Sequence, residues 1–284
     1  MGIDIHTFRL LQRLADEAPL GAALTIGRQS VDFAVPAGFT PPADPAEAQY
    51  CEWVLLALGG SEAASLDISD YEGATHIGDL GEPMSLPRSY DTIIDAGSLE
   101  HVFDVATGFR NLIKFTAIGG RIVHVLPVNN LSGHGFWQFS SDLIYALYSE
   151  ANGFADTRVW YASSINQDEW REIPPPRPGT RTELVSLEPV ILLSVATKQR
   201  EVASLRVVQP FYDQAWNEGS EVLVSHTPSR FEWLRRLLPQ RSLAHRLARN
   251  AFTVAGLGLG TSRYALRGKR FARRTPGSAG SKQP

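Results

Sequence analysis

Apolar side chains recur every three or four residues from Asp4 to Ala18, where Phe8, Leu11, Leu14, Ala15 and Ala18 share one face. This period predicts an amphipathic helix. The next apolar run, residues 22–27, is short and ends in a glycine, which is typical of a buried strand. The chain therefore opens with a predicted helix followed by a predicted strand.

The rest of the first 200 residues alternates between short apolar runs and helical patterns. Further strands are predicted at 63–68, 75–79, 90–95, 121–126, 157–162 and 190–196, and helices at 46–58, 104–117 and 142–151. Strands that alternate with helices favour an α/β fold. We therefore expect a Rossmann-like, mostly parallel seven-stranded sheet with helices on both faces.

The domain organisation follows from the same pattern and from composition. With 284 residues, 43% of them hydrophobic, the chain can bury one sizeable core and carry an appendage. We predict an N-terminal helix (1–20), a Rossmann-like domain (21–205), a connecting segment (206–228) and a C-terminal tail (229–284). The single cysteine, Cys51, excludes an internal disulfide and a cysteine-based metal cluster.

The net charge of −3 conceals a strong asymmetry along the chain. Of the 27 lysines and arginines, 13 lie between Ser229 and Pro284, where Glu232 is the one acid. The preceding residues hold the other 14 basic residues and 29 acidic ones. An acidic globular body with a basic appendage is the expected arrangement.

The tail combines its charge with an apolar rhythm. Phe231, Trp233, Leu234, Leu237 and Leu238 fall mostly on one side of a predicted helix, opposite Arg235 and Arg236. This pattern favours a basic amphipathic helix that lies on an anionic membrane surface. Residues 229–274 would make that contact, and the stretch from Arg267 onward is predicted to be disordered. Two alternatives stay open: the helix docks on the body, or, less favoured, the segment binds nucleic acid.

The sequence also bears on localisation. Its N-terminus lacks the long apolar run of a signal peptide, and no stretch reaches the roughly 18 apolar residues that span a bilayer. We expect a cytoplasmic protein that associates peripherally with the inner face of the membrane.

Four features lie where predicted strands end: Gly27, Asp67, Asp79 and the segment from Asp95 to His101. In open α/β sheets, ligands bind outside the carboxyl ends of the strands, near the point where strand order reverses. Isolated aspartates often cap turns or helices, and that interpretation remains for each acid alone. Their succession on consecutive strands favours a common ligand site.

The segments 65–69, 90–95, 98–102 and 118–123 resemble the class I S-adenosylmethionine-dependent methyltransferases. The resemblance runs from about Leu24 to Lys198. It implies that S-adenosyl-L-methionine is the cofactor. It further implies that Asp67 with Ile68 holds the ribose, that Asp79 with Leu80 lies at the adenine, and that Asp95, Gly97 and Ser98 lie under the methionine part.

The end of the first predicted strand departs from that family. The usual glycine-rich motif is reduced to Gly27, followed by Arg28, in the turn Ile26-Gly27-Arg28-Gln29. Glycines there let the backbone approach a cofactor closely. Arg28 either reaches an anionic group of the cofactor or substrate, or blocks the pocket. The second outcome would mark a domain that no longer binds the cofactor.

Glu100 and His101 follow the fourth strand of the domain and are candidate catalytic residues. Methyl transfer to a hydroxyl requires removal of its proton, and histidine is a suitable general base. The Leu-Glu-His string also resembles quinone-biosynthesis O-methyltransferases, in which the pair belongs to a metal site. Gly97 replaces the further acid of those enzymes, so the sequence predicts no metal site. The alternative is that His101 caps a helix or belongs to the core.

His134 is the third catalytic candidate, in the loop 129–140 after the fifth strand. Phe136, Trp137 and Phe139 offer a wall for a sugar or an aromatic ring, and Gln138 offers hydrogen bonds. Alternatively, these aromatic side chains pack under the edge of the sheet.

These observations predict a methyltransferase that O-methylates a small-molecule or glycan acceptor, a sugar or glycolipid hydroxyl. The alternative is a catalytically inactive methyltransferase-like binding or scaffold protein. A nicotinamide-dependent oxidoreductase fits less well, because the full glycine fingerprint is missing.

Overall fold

The computed structural model describes residues 2–167, 169–176, 184–210 and 264–265. Its strands are β1 (Gly2–Ile3), β2 (Gly21–Ile26), β3 (Ser30–Val31), β4 (Gly60–Asp67), β5 (His76–Ile77), β6 (Tyr90–Ala96), β7 (Thr116–Asn129), β8 (Phe154–Ser163), β9 (Trp170–Ile173), β10 (Leu184–Val185), β11 (Val190–Lys198) and β12 (Tyr264–Ala265). Its α-helices are α1 (Ile5–Glu17), α2 (Pro45–Ala48), α3 (Glu52–Ala57), α4 (Val105–Phe115) and α5 (Ser141–Leu147). Short 3-10 helices span Leu99–His101 and Glu150–Asn152.

Eight strands form the main sheet, in the order β5-β4-β2-β6-β7-β11-β8-β9. Strands β5, β4, β2, β6 and β7 are parallel to one another, whereas β11 is antiparallel to both of its neighbours. The order reverses between β2 and β6, which makes their carboxyl ends the topological switch point of the sheet. The predicted mostly parallel α/β fold is confirmed.

Helices cover both faces of this sheet. Ile93 and Ile94 are adjacent in β6 and fully buried, yet they belong to opposite cores. Helices α4 and α5 pack with the Ile93 core, whereas α1 and α3 pack with the Ile94 core. Because successive side chains of a strand point to opposite faces, two buried neighbours require cover on each side.

The N-terminal helix belongs to the body of the fold. Asp4 caps it by accepting a hydrogen bond from the backbone N–H of Thr7 at 2.8 Å. Its apolar face buries Phe8, Leu10, Leu11 and Leu14 against the sheet. Each large apolar side chain buried in this way contributes about 1.5–3 kcal/mol. Helix α1 is therefore an integral part of one core.

The single helix predicted for 46–58 is wrong. Two helices, α2 and α3, flank an interruption at Gln49–Cys51. There the Gln49 carbonyl accepts from Val31 and the Cys51 N–H donates to the Gln29 carbonyl, both at 2.9 Å. These backbone groups are used in pairing with residues distant in sequence, and so they cannot continue a helix.

The sheet also gains a strand that the pattern did not predict. Strand β9 pairs with β8 as an antiparallel edge and buries Trp170 and Ile173. It is the eighth strand of a sheet predicted to have seven. Four residues, two of them buried, form a signal too short to separate from a loop.

The described residues contain no helix long and apolar enough to cross a membrane. The basic amphipathic helix predicted from residue 229 onward lies outside the described residues, apart from the two-residue strand β12. The predicted domain boundaries, including the connecting segment 206–228, stay predictions.

Candidate active site at the carboxyl edge of the sheet

Two glycines turn the chain where β2 and β6 end, on either side of the switch point. Gly27 has φ 75° and Gly97 has φ 86°, in the left-handed region that favours glycine. The N–H of Gly27 donates to the Leu66 carbonyl at 2.7 Å, which ties the turn to β4. The two turns therefore lie at adjacent strand ends of one edge.

Asp67 lies at the carboxyl end of β4, beside this switch point, and is half-buried. Its Oδ2 accepts a long hydrogen bond from the backbone N–H of Arg28 at 3.4 Å, and its Oδ1 accepts from Ser69 at 3.2 Å. An ionised carboxylate has about four acceptor positions. Asp67 therefore retains capacity for a ligand, and Ile68 beside it is 69% exposed.

Asp79 and Leu80, the next two predicted cofactor residues, differ in their exposure to solvent. Asp79 is exposed, and its Oδ1 accepts from the backbone N–H of Gly81 at 2.8 Å. Leu80, by contrast, is buried in the core beneath α4. Asp79 is therefore open to a ligand, whereas the Leu80 side chain faces inward and leaves only its backbone for the predicted place at the adenine.

Arg28 crosses from the end of β2 toward the loop that follows β4. Its Nε lies 2.8 Å from Oε1 of Glu52, and its NH1 donates to the carbonyls of Glu72 and Gly73 at 2.5 and 3.2 Å. The guanidinium also stacks 4.1 Å from the ring centre of Tyr50. Its positive charge is therefore balanced by protein groups.

The path of Arg28 matters because it passes Asp67. Its backbone touches the Asp67 carboxylate, and its guanidinium reaches residues that come shortly after Asp67 in the chain. The side chain thus bridges the start of α3 and the loop after β4, next to Asp67.

Asp95, at the end of β6, does not face this edge. It is fully buried; its Oδ1 accepts from the N–H groups of Ser98 and Leu99 at 3.0 and 3.2 Å, and its Oδ2 lies 2.8 Å from Nδ1 of His124. The Asp95 carboxylate therefore points inward and is occupied by the protein, so its side chain does not offer the predicted cofactor an acceptor.

Ser98 and Gln29 close the crevice between β2 and β6 from below. The hydroxyl of Ser98 and the amide of Gln29 both donate to the carbonyl of Ile26, at 2.6 and 2.5 Å. Both side chains are buried. The Ser98 side chain therefore belongs to the packing beneath the turn, and its predicted place under the methionine part of the cofactor stays a prediction. The role of Gln29 was missed, because a polar residue after a turn gives no signal of burial.

His124, in β7, is a buried histidine of the core. Its Nε2 lies 2.6 Å from the hydroxyl of Tyr148, and the two rings stack 5.5 Å apart. The burial of Tyr148 and the nearby Asp95 carboxylate hold the pKa of its hydroxyl well above its usual range. The chain Asp95–His124–Tyr148 therefore links β6 and β7 to the segment after α5 inside the core.

The three catalytic candidates come together just above this network. Glu100 and His101 lie in the 3-10 helix after β6, and His134 lies in the loop after β7. Nε2 of His134 lies 3.3 Å from Oε1 of Glu100, and the two histidine ring centres are 5.6 Å apart. The sequence placed both segments after strands but could not bring His134 to Glu100.

Glu100 is the most unusual group of this cluster. Its side chain is fully buried, and neither carboxylate oxygen has a hydrogen-bond partner among the described residues. Nε2 of His134 approaches Glu100 to 3.3 Å without hydrogen-bond geometry. Burial, and then the charge of Asp95, raise the pKa of Glu100 to about 8. Burial and the neighbouring His134 lower the pKa of His101.

Backbone contacts hold the loop of His134 against Glu100. The N–H groups of Phe136 and Trp137 donate to the Glu100 carbonyl at 2.7 and 3.3 Å, and the indole of Trp137 donates to the Val102 carbonyl at 2.9 Å. A Cβ added to Gly135 would lie 2.7 Å from that same carbonyl. Gly135 is therefore required for the close approach of the two segments.

Aromatic side chains stand out from the surface next to this cluster. Phe103 and Phe136 are 80% and 70% exposed and meet edge to face, with ring centres 6.3 Å apart. Trp137 is 38% exposed. Phe139, in contrast, is buried in the core. Three of these four rings thus form an open apolar surface beside His134.

A cavity of about 740 Å³ lies at the opposite, amino edge of the sheet. Arg121 and Arg158 line it, but their guanidinium groups are held by the Leu14 and Pro19 carbonyls and by the Glu17 carboxylate. Ligands of such sheets bind at the carboxyl edge. The candidate site is therefore the edge that holds Asp67 and Glu100.

Comparisons with known proteins give distant similarities. No protein-family model matches the chain, and the search of curated proteins also found no match. Similar solved structures include the N-methyltransferase NodS from Bradyrhizobium japonicum WM9, with 16% identity over 68% of this chain and 94% of that chain and a TM-score of 0.42. TehB from Haemophilus influenzae is 14% identical over 67% of this chain and 62% of its own, with a TM-score of 0.43. The sugar N-methyltransferase KedS8 from Streptoalloteichus is 16% identical over 42% of this chain and 47% of its own, with a TM-score of 0.29.

Proposed function

We propose that the chain is an S-adenosylmethionine-dependent methyltransferase whose cofactor lies at the carboxyl edge, over Asp67. The observation that carries the proposal is the half-buried Asp67 carboxylate, which retains acceptor capacity beside the switch point of the sheet. A carboxylate with two open acceptor positions can receive both hydroxyls of a ribose. The family resemblance of the segments around Asp67 and Gly97 supports the same site.

The residues that would hold the cofactor are fewer than the sequence suggested. Asp67 would receive the ribose, Ile68 and Asp79 would lie at the base, and the backbone of Gly27 and Gly97 would border the methionine part. The acidic edge favours a cationic sulfonium. Arg28 lies beside Asp67, and we expect its side chain to leave the carbonyls of Glu72 and Gly73 when the cofactor binds.

Bound there, the cofactor supplies an electrophilic methyl group. His101 and His134 are the groups that would accept the proton of an acceptor hydroxyl, since their rings are exposed at the end of β6 and after β7. Glu100 faces His134 and would orient its ring. Holding the acceptor in line with the methyl group accounts for much of the rate of such reactions.

We further propose that the acceptor is a hydroxyl of a sugar or a glycolipid. Phe103, Phe136 and Trp137 support this, because exposed aromatic rings beside polar groups suit a ring with an apolar face and hydroxyl edges. The charge of residues 229–274 supports a membrane-bound acceptor and a cytoplasmic protein peripheral to the inner membrane face. Sedimentation of the full chain with anionic vesicles, but not with neutral ones, tests the membrane part; binding to nucleic acid alone would contradict it.

Calorimetric titration with S-adenosylhomocysteine tests the cofactor site. We expect saturable binding by the wild type and a loss of more than about tenfold in affinity for Asp67→Ala, since hydrogen bonds to a charged group contribute about 1.5–3 kcal/mol. Asp70→Ala is the matched control, because Asp70 is an exposed acid three residues further along. Absence of binding by the folded wild type at millimolar ligand would contradict the proposal.

The second candidate function is a methyltransferase-like binding or scaffold protein without catalysis. The observation that favours it is the hydrogen bonding at this edge: Arg28 is held by the carbonyls of Glu72 and Gly73, and Gln29 and Ser98 both donate to the Ile26 carbonyl. Under this alternative, Asp67→Ala leaves the biological function unchanged, and the wild type does not bind the cofactor.

A further inference from the structure

We propose that Glu100, His101 and His134 form a binding site for a first-row divalent transition-metal ion. Each residue offers one ligand atom, and the three atoms lie within 4.8 Å of one another. Glu100 and His101 are neighbours in the sequence, whereas His134 comes from the loop after β7. The proposal concerns the cation alone and does not depend on methyl transfer.

The first support for a bound cation is the carboxylate of Glu100. A buried carboxylate without hydrogen bonds is strongly unfavourable, and native proteins satisfy nearly all such groups. Among the described residues Glu100 has no hydrogen-bond donor, although its Oε1 points to Nε2 of His134 at 3.3 Å. A cation between these atoms and His101 would neutralise the carboxylate where it lies.

The backbone around the cluster is arranged for this approach. A Cβ on Gly97 would lie 3.3 Å from Oε1 of Glu100, so the glycine leaves room directly beside the carboxylate. On the other side, Gly135 allows the loop of His134 to contact the Glu100 backbone, where two N–H groups fix it. Both constraints hold the ligands near one another without being ligands themselves.

The donor set identifies the class of ion. Two imidazoles and one carboxylate suit Zn²⁺ and its first-row neighbours, whereas Mg²⁺ and Ca²⁺ prefer sites made of oxygen atoms. His101 and His134 are exposed, which leaves coordination positions for water or a ligand, as in catalytic rather than structural metal sites. His124 is excluded as a ligand, because both of its nitrogens contact Asp95 and Tyr148.

Such an ion would change how an acceptor hydroxyl is activated at the carboxyl edge of the sheet. A divalent cation with open positions is a Lewis acid that makes a nearby hydroxyl more acidic. While bound, it would also occupy the imidazole lone pairs of His101 and His134. The two histidines would then position an acceptor through the ion.

Metal titration of the full chain, free of affinity tags and treated with a chelator, tests the proposal. We expect one Zn²⁺ per chain by calorimetry and, with Co²⁺, visible absorption bands typical of histidine and carboxylate ligands. His101→Ala and His134→Ala should each reduce Zn²⁺ affinity by more than about tenfold. His76→Ala is the control, since His76 contacts Tyr90 far from the cluster, and it should bind Zn²⁺ as the wild type does.

A second pair of variants tests whether Zn²⁺ binding needs the close approach of the His134 loop to Glu100. Gly135→Ala should reduce Zn²⁺ affinity, because the new methyl group would meet the Glu100 carbonyl. Gly133→Ala, where a Cβ would meet nothing within 4 Å, should not. Circular dichroism establishes that each variant is folded. No Zn²⁺ binding by the folded wild type at about 100 µM, or binding unaffected by His101→Ala and His134→Ala, would overturn the proposal. No cofactor is present in these titrations, so their failure is distinct from failure of the methyltransferase proposal.

Discussion

Oδ2 of Asp95 lies 2.8 Å from Nδ1 of His124, and both side chains are fully buried where β6 and β7 run side by side. The pair joins the turn that carries Glu100 to the centre of the sheet, since the other oxygen of Asp95 accepts from Ser98 and Leu99. The acid that the sequence assigned to the cofactor therefore supports the site from beneath.

Replacement of Tyr148 by phenylalanine tests this network, because it removes a hydroxyl and keeps the ring. The change removes the hydroxyl that lies 2.6 Å from Nε2 of His124 and leaves a buried nitrogen without its partner. We expect the free energy of unfolding to fall by about 1–3 kcal/mol, measured by urea denaturation. A loss below about 0.5 kcal/mol would show that the hydrogen bond contributes little.

Replacement of Arg28 by alanine is expected to strengthen cofactor binding. On cofactor binding, the wild-type side chain would give up its contacts with the carbonyls of Glu72 and Gly73. Two partly exposed contacts of this kind are together worth about 1 kcal/mol, so affinity for S-adenosylhomocysteine should rise about 3- to 10-fold. Weaker binding would instead make Arg28 a contact of the cofactor.

Lys198 stabilises the end of α4 from a neighbouring strand. Its buried Nζ donates to the carbonyls of Ile113 and Thr116, both at 2.8 Å. Lys198→Met should lower the free energy of unfolding by about 2–3 kcal/mol, because both carbonyls lose a charged donor. The control is Lys114→Met, an exposed lysine on the same helix, for which less than about 1 kcal/mol is expected. Equal effects of the two changes would contradict this role for Lys198.

The loss of folding stability at low pH should depend in part on Glu17. The hydrogen bond and charge of Arg158 lower its pKa from the ordinary value of 4.5. A lowered pKa means that the folded state gains stability above pH 4.5 and loses it as the pH falls through the lowered value. The difference in unfolding free energy between the wild type and Glu17→Gln should therefore be below about 1 kcal/mol at neutral pH and vanish in acid. A difference that grows toward low pH would contradict the assignment.

The sequence predicted the strands well because most of them are buried on both faces. Ile93 and Ile94 illustrate the signal: an apolar run without alternation can be accommodated only inside a covered sheet. The pattern failed at Gln49–Cys51, where the helix is interrupted by pairing with residues 29–31. Local periodicity carries no information about such distant partners.

At the candidate site, too, the sequence predicts what depends on neighbouring residues and misses what depends on contacts with distant ones. Asp67 and Asp79 could be placed at one edge of the sheet from the sequence, because both follow predicted strands. Whether Asp95 points outward or inward depends on His124 in another strand, and no local pattern records it. The meeting of His134 with Glu100 likewise depends on how a loop docks.

A crystal structure of the full chain with S-adenosylhomocysteine would show directly whether the cofactor lies over Asp67. We expect both ribose hydroxyls within hydrogen-bond distance of the Asp67 carboxylate, with the Arg28 guanidinium displaced from the carbonyls of Glu72 and Gly73. Crystals grown at millimolar ligand that show Arg28 in its present contacts, and no ligand over Asp67, would contradict it.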